Sequence, residues 1–116
     1  MRKRTAASPY DVVVDDTPYA AAYDASAALL TVSGSVDELS GPTFRSDLEK
    51  HSDGFSRDLV VDLSAVDFFP SLAIGVLAVA AKNARNAGHL LDVVAAPGSI
   101  VARVLTISNL PFREQP

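Results

Sequence analysis

Cysteine is absent from the 116 residues, so the chain has no disulfide framework, no thiolate nucleophile, no Cys-ligated zinc and no iron–sulfur cluster. That absence suits a reducing cytoplasm. Tryptophan is also absent, and aromatics make up only 7% of the residues. Ala, Val and Leu are abundant, a mix that suits helices packed on a sheet better than a barrel of aromatic strands. The longest apolar run, Leu72 to Ala81, is ten residues, and a membrane span needs roughly 20. The basic start, Met1-Arg2-Lys3-Arg4, is followed by no apolar stretch and does not read as a secretory signal. The expectation is a soluble, cytoplasmic protein with no membrane partner.

Basic charge is scarce beyond the first four positions. Three of the ten Lys and Arg residues sit there, which leaves seven basic against fourteen acidic residues in the rest. An acidic body argues against a nucleic-acid partner, which needs a basic face. The basic cap itself reads as a solvated tip. Apolar content of 48% with a net charge of −4 excludes a wholly disordered chain. The length allows one buried core but not two.

Turn signals divide the chain into short elements. Tyr10 to Val14 has strand composition and ends at Asp15-Asp16 and Pro18. Tyr19–Tyr23 and Ala27–Ser33 read as two arms of a hairpin around Asp24-Ala25-Ser26, and Gly34 breaks the second arm. Ser40 is a candidate N-cap for a helix over about 41–52, with Pro42 in its first turn. Phe44 and Leu48 share one face of that helix, and Arg45 and Glu49 share a face that reads as solvated. Asp58–Ser64 is a short, β-rich run with the character of a strand buried on both faces. Leu72–Ala87 reads as a helix capped by Gly88, and Leu90–Ala96 as a strand. Ser99 is an N-cap candidate for a last helix running to about Ser108. After the hairpin, strands and helices alternate, which implies parallel strands joined by crossovers.

The chemistry inventory is short. His51 and His89 have no His, Cys or carboxylate partner at metal spacing, and no H-E-x-x-H motif occurs. Neither G-x-x-x-x-G-K-[ST] nor G-x-G-x-x-G is present. Ser71 sits at a strand-to-helix turn, where a hydrolase nucleophile would. Its context, Phe69-Pro70-Ser71-Leu72-Ala73, lacks the glycines of G-x-S-x-G. No catalytic residue, cofactor or metal is expected, and the protein is not read as an enzyme.

Two features at Ser71 point elsewhere. A phosphate at the start of this helix would meet backbone N–H groups that lack helical partners, at the favourable end of the dipole. The simpler role for Ser71 is an N-cap, worth about 1 kcal/mol to the helix. Behind it, Leu72, Ile74, Val76, Leu77 and Val79 cover nearly all of the helix circumference. A helix that is apolar all round is either buried on both sides or shows one side to a partner. Part of Leu72–Leu77 is therefore a candidate docking surface, for another protein or for a homodimer.

Three segments then coincide with one family pattern. Val32-Ser33-Gly34-Ser35-Val36-Asp37 resembles the hydrophobic-x-G-x-hydrophobic-D segment that ends the second strand of STAS domains. Leu59-Val60-Val61-Asp62-Leu63-Ser64-Ala65-Val66-Asp67-Phe68 resembles their central VVLDLSxVxF strand. Phe69-Pro70-Ser71-Leu72-Ala73-Ile74-Gly75-Val76-Leu77 resembles hydrophobic-D-S-S-G-L-G-V-L, the turn that carries the family's phosphorylation site. The resemblance runs from about Tyr19 to Phe112. Pro70, Leu72 and Ala73 depart from it, standing where the family has Asp, a second hydroxyl and Gly.

The resemblance implies an α/β fold class. It would be a STAS-like single domain with a mixed, mostly parallel β-sheet and helices packed mainly on one side. The domain would span 19–116. Residues 1–18 would form an N-terminal tail, whose order against the domain the sequence leaves open. In function it is similar to bacterial anti-sigma factor antagonists, also called anti-anti-sigma factors, which regulate transcription by partner switching. By position, Ser71 matches the phosphoacceptor. Asp37 matches the acidic residue ending the second strand, and Asp37, Leu72, Ile74 and Val76 would be partner-binding. The implied partner is an anti-sigma factor with a histidine-kinase-like ATPase fold, with a PP2C-like phosphatase resetting the switch. The alternative is a STAS-like module that is never phosphorylated and serves as a scaffold or binds a small ligand.

Overall fold

A computed structural model describes residues 17–115. The segment Tyr10–Val14, expected as a strand, and the basic cap lie outside the described residues. Strands β1 (Ala20–Asp24) and β2 (Leu29–Ser35) form the expected antiparallel hairpin. Its turn is held by Asp24, whose carboxylate accepts from the Ser26 N–H at 3.0 Å and the Ser26 hydroxyl at 2.7 Å. Helix α1 (Gly41–His51), strand β3 (Leu59–Phe68), helix α2 (Ser71–Asn86), strand β4 (Leu91–Val94) and helix α3 (Ile100–Ile107) follow. The sheet order is β1-β2-β3-β4, with β2–β3 and β3–β4 parallel. The alternation after the hairpin thus gives the mixed, mostly parallel sheet that it implied.

One face of the sheet carries Leu30, Val32, Leu59, Val61, Leu63, Leu91 and Val93, all buried. All three helices pack onto that face. Phe44 and Leu48 come from α1, Ala73, Leu77, Ala80 and Ala84 from α2, and Val101, Ala102 and Leu105 from α3. Small residues dominate α2's buried stripe because it lies close to its neighbours. The opposite face carries Thr31, Asp62, Ser64 and Asp92, which stay partly or fully exposed. Helices therefore lie on one side.

The central strand corrects two expectations. It runs four residues past Ser64, to Phe68, because β2 continues alongside it: Ser33 pairs with Ala65, Gly34 with Val66 and Ser35 with Phe68. It is also fully buried on one face only. Val60, Asp62 and Ser64 alternate with the buried positions and are half-exposed, so the polar pair sets which face meets water.

Gly34 was expected to break β2 and instead lies inside it, at φ 81°. The chain at Thr17–Pro18 crosses here, and the Ser35 N–H donates to the Thr17 carbonyl at 2.9 Å. The last two residues of the expected tail therefore touch the sheet. Helix ends follow local rules. Ser99 caps α3 by accepting from the Ala102 N–H at 3.1 Å. Gly88, at φ 82°, ends α2, with its own N–H on the Arg85 carbonyl and that of His89 on Ala84. Beyond α3, Arg113 forms an isolated parallel bridge with Val94 and an ion pair with Asp92. The segment after α3 thus adds an isolated bridge beside β4.

Candidate functional site

The carboxyl ends of β2 and β3 lie side by side, with the Val36 N–H donating to the Phe68 carbonyl at 2.9 Å. Helices α1 and α2 start from these ends. Phe69 then plugs the core, 4% exposed, with its ring edge-on to Phe44 at 5.9 Å. Pro70 follows in extended conformation, φ −77° and ψ 179°, and occupies the cap position of α2. Ser71 is the first helical residue and is exposed. The N-cap role expected for Ser71 is thereby corrected: proline takes that position, since its fixed φ suits the helix start and its missing N–H costs nothing there. The buried ring of Phe69 and the rigid ring of Pro70 fix where the Ser71 backbone stands.

Ser71 opens onto a groove of about 670 Å³ between α1 and α2. Leu72, Gly75, Val76 and Val79 line the α2 side, with Arg45 and Glu49 on the α1 side. Leu72 is 48% exposed and Val79 59%. The helices meet closely at their first turns: a Cβ on Gly41 would lie 3.1 Å from Leu72 Cδ2. Of the expected docking residues, Leu72 and Val76 face this groove. Ile74 is half-buried and packs against the core, and Leu77 is buried within it. The apolar circumference of α2 left open whether a side would be free, and which.

Asp37 lies elsewhere. It lines a separate depression with Ser35, Leu39 and Ser40. Its carboxylate accepts from the Ser40 N–H at 2.9 Å and the Leu39 N–H at 3.0 Å. Those bonds, the Ser40 N–H first, hold Asp37 below the usual carboxylate range. Ser40 stands at the cap of α1 as expected, but its hydroxyl does not cap; it accepts from the Asp37 N–H at 2.9 Å. Asp67, nearer in sequence to Ser71, accepts from the Ser35 hydroxyl at 2.9 Å. The two carboxylates thus brace the strand ends from which α1 and α2 spring.

Sequence reading missed Arg45, Glu49, Gly75 and Val79 as groove residues. Arg45 and Glu49 are exposed, as their spacing implied, yet they form a wall. Gly75 offered a signal: glycine costs a helix interior about 1 kcal/mol relative to alanine. Here it is exposed, with nothing within 4 Å of where its Cβ would be.

Neither histidine lines the groove. His51 stacks on Tyr23, ring centroids 4.3 Å apart. His89 gains a partner that sequence spacing did not show, Asp58, with Nδ1 and Oδ1 3.3 Å apart. Asp58 also accepts from the Leu90 N–H at 2.9 Å, the main reason its carboxyl sits below the usual range. Among the described residues no three His, Cys, Asp or Glu side chains gather to hold a metal. No helix among them is long and apolar enough to cross a membrane. With this geometry in place, comparison with protein families finds a match over residues 20–111 to the model described as Mlab, STAS domain.

Proposed function

The chain belongs to the STAS domain family, and on that footing we propose that it is an anti-sigma factor antagonist acting in the cytoplasm by partner switching. One observation carries the reading: an exposed serine, rigidly placed at the first position of α2, stands at the mouth of an apolar groove. In the unmodified state, the exposed Leu72 and Val79, with the half-buried Val76 between them, give an anti-sigma factor with a histidine-kinase-like ATPase fold a surface to bury. Asp37, in its separate depression, and Ile74, against the core, lie outside that surface.

The partner then phosphorylates Ser71. The Ser71 Oγ attacks the γ-phosphorus of a nucleoside triphosphate held by the kinase. A new P–O bond forms, the bond to the β-phosphate oxygen breaks, the nucleoside diphosphate leaves, and the hydroxyl proton passes to a base on the kinase. The modification adds about −1.5 to −2 charges at neutral pH. That charge at an apolar interface costs desolvation. Losing ~2–3 kcal/mol of contact weakens binding roughly 30- to 150-fold, enough to release the partner. A PP2C-like phosphatase resets the chain by hydrolysing the phosphoester.

The test is binding of purified histidine-kinase-like anti-sigma factors from the native cell to Ser71→Ala and Ser71→Asp. The switch requires that Ala binds constitutively and Asp does not. Equal binding by both rejects the switch. It would favour the second reading, a STAS module that is not phosphorylated, for which Pro70, Leu72 and Ala73 in place of the family's Asp, hydroxyl and Gly are the supporting observation.

A further inference from the structure

We propose that Arg45 captures the phosphate on Ser71 and, in doing so, closes the groove from within. The inference rests on Ser71 being the phosphoacceptor and adds how that modification is read by the chain itself.

Gly41, Arg45 and Glu49 are spaced four apart and form one ridge of α1. The close approach of Gly41 to Leu72 sets the first turn of α1 against the first turn of α2. Arg45 stands one turn, about 5.4 Å, further along, on the wall that faces Ser71 and Gly75. Glu49 is a turn beyond that, nearer Val79 and Asn83. With Gly41 against Leu72, Arg45 is level with Gly75 and Val76, and helical side chains lean back towards the helix start, so the cation of the ridge, rather than its anion, is the one that reaches towards the serine.

The path between them is open. Gly75 follows Ser71 by four residues on the same helix face, and it has no side chain to block the crossing. A Cβ there would meet nothing within 4 Å. The ion pairs among the described residues join His89 to Asp58 and Arg113 to Asp92, so neither commits Arg45. Glu49 is the other charged side chain that lines the groove, and Asp67 at the end of β3 accepts from the Ser35 hydroxyl.

Chemistry favours this pairing. A guanidinium presents parallel N–H donors that match phosphate oxygens two at a time. Drawn across Gly75, the Arg45 side chain would lie over Leu72 and Val76 and cover the surface that the partner needs. Release would then be steric as well as electrostatic, with no movement of the backbone.

The experiment uses the full chain with phosphoserine installed at position 71 during translation, so no kinase is required. The ³¹P NMR titration of the phosphate is compared in the parent chain, Arg45→Gln and Arg45→Lys. Capture lowers the second phosphate pKa below its ordinary value of about 6, with a roughly three- to tenfold fall in proton affinity. Arg45→Gln raises the value above that of the parent by the part Arg45 supplies, and Arg45→Lys keeps some of that part. Nuclear Overhauser contacts from the Arg45 side chain to the Gly75 α-protons appear only in the phosphorylated parent. A phosphate that titrates identically in the parent and in Arg45→Gln, or the absence of those contacts, overturns the inference. Because the phosphate is installed directly, this result is independent of whether charge at position 71 switches anti-sigma binding, which the comparison of Ser71→Ala with Ser71→Asp decides.

Discussion

A Cβ placed on Gly34 would lie 2.1 Å from the carbonyl oxygen of Pro18. No real contact is that short, and the oxygen belongs to backbone that cannot swing aside. The same glycine has φ 81°, where an L side chain is strained. Gly34→Ala should therefore cost about 3 kcal/mol, from left-handed strain and steric overlap together. Thermal unfolding followed by circular dichroism should show a midpoint lower by more than about 10 °C. A midpoint within two or so degrees of the parent would mean that the Thr17–Pro18 segment does not hold this position in solution.

Gly75→Ala should act with opposite signs on two properties. Its new methyl group meets open space, and the helix gains about 0.5–1 kcal/mol from the better helix former. The methyl also projects into the groove, so affinity for the proposed anti-sigma partner should fall. Stability is read by denaturant titration and affinity by calorimetry. A variant that is more stable and binds unchanged would show that the partner does not reach the groove floor.

Asp37 links the start of α1 to pH. Its folded-state pKa lies below the ordinary value because the Ser40 and Leu39 N–H groups donate to its ionised form. A lowered carboxyl pKa contributes stability that is present above the unfolded value, near 4. That contribution is lost as pH falls through the folded value. Asp37→Ala should therefore be less stable than the parent at neutral pH. The gap should narrow as pH falls from about 4 through the lower folded value, below which the parent carboxylate is protonated in both states. Chemical denaturation of both chains across that range measures it, and a gap of constant size would assign the bonds no ionic part.

The order and type of the elements could be read from local pattern. Hydrophobic runs, Pro and Gly punctuation and cap residues place the hairpin, three helices and two further strands, because each rule acts within a few neighbouring residues. The alternation of strand and helix then leaves few topologies. The resemblance of the Val32–Asp37, Leu59–Phe68 and Phe69–Leu77 segments to STAS domains is likewise a matter of residues in order, and the family match over residues 20–111 agrees with it.

Relations between distant residues were not legible. Nothing near Gly34 announces Pro18, and nothing near His89 announces Asp58. The length of β3 depended on how far β2 ran beside it. That Arg45 and Glu49 form a wall facing Ser71, while Asp37 turns into a separate depression, follows from the angle at which α1 leaves the strand ends. Those angles come from side chains packing across the core, Phe44 against Phe69 and Gly41 against Leu72. Hydrogen bonds within a turn are short-range and written in adjacent residues. Packing between elements joins residues far apart in the chain, so it takes definite form only when the whole core assembles.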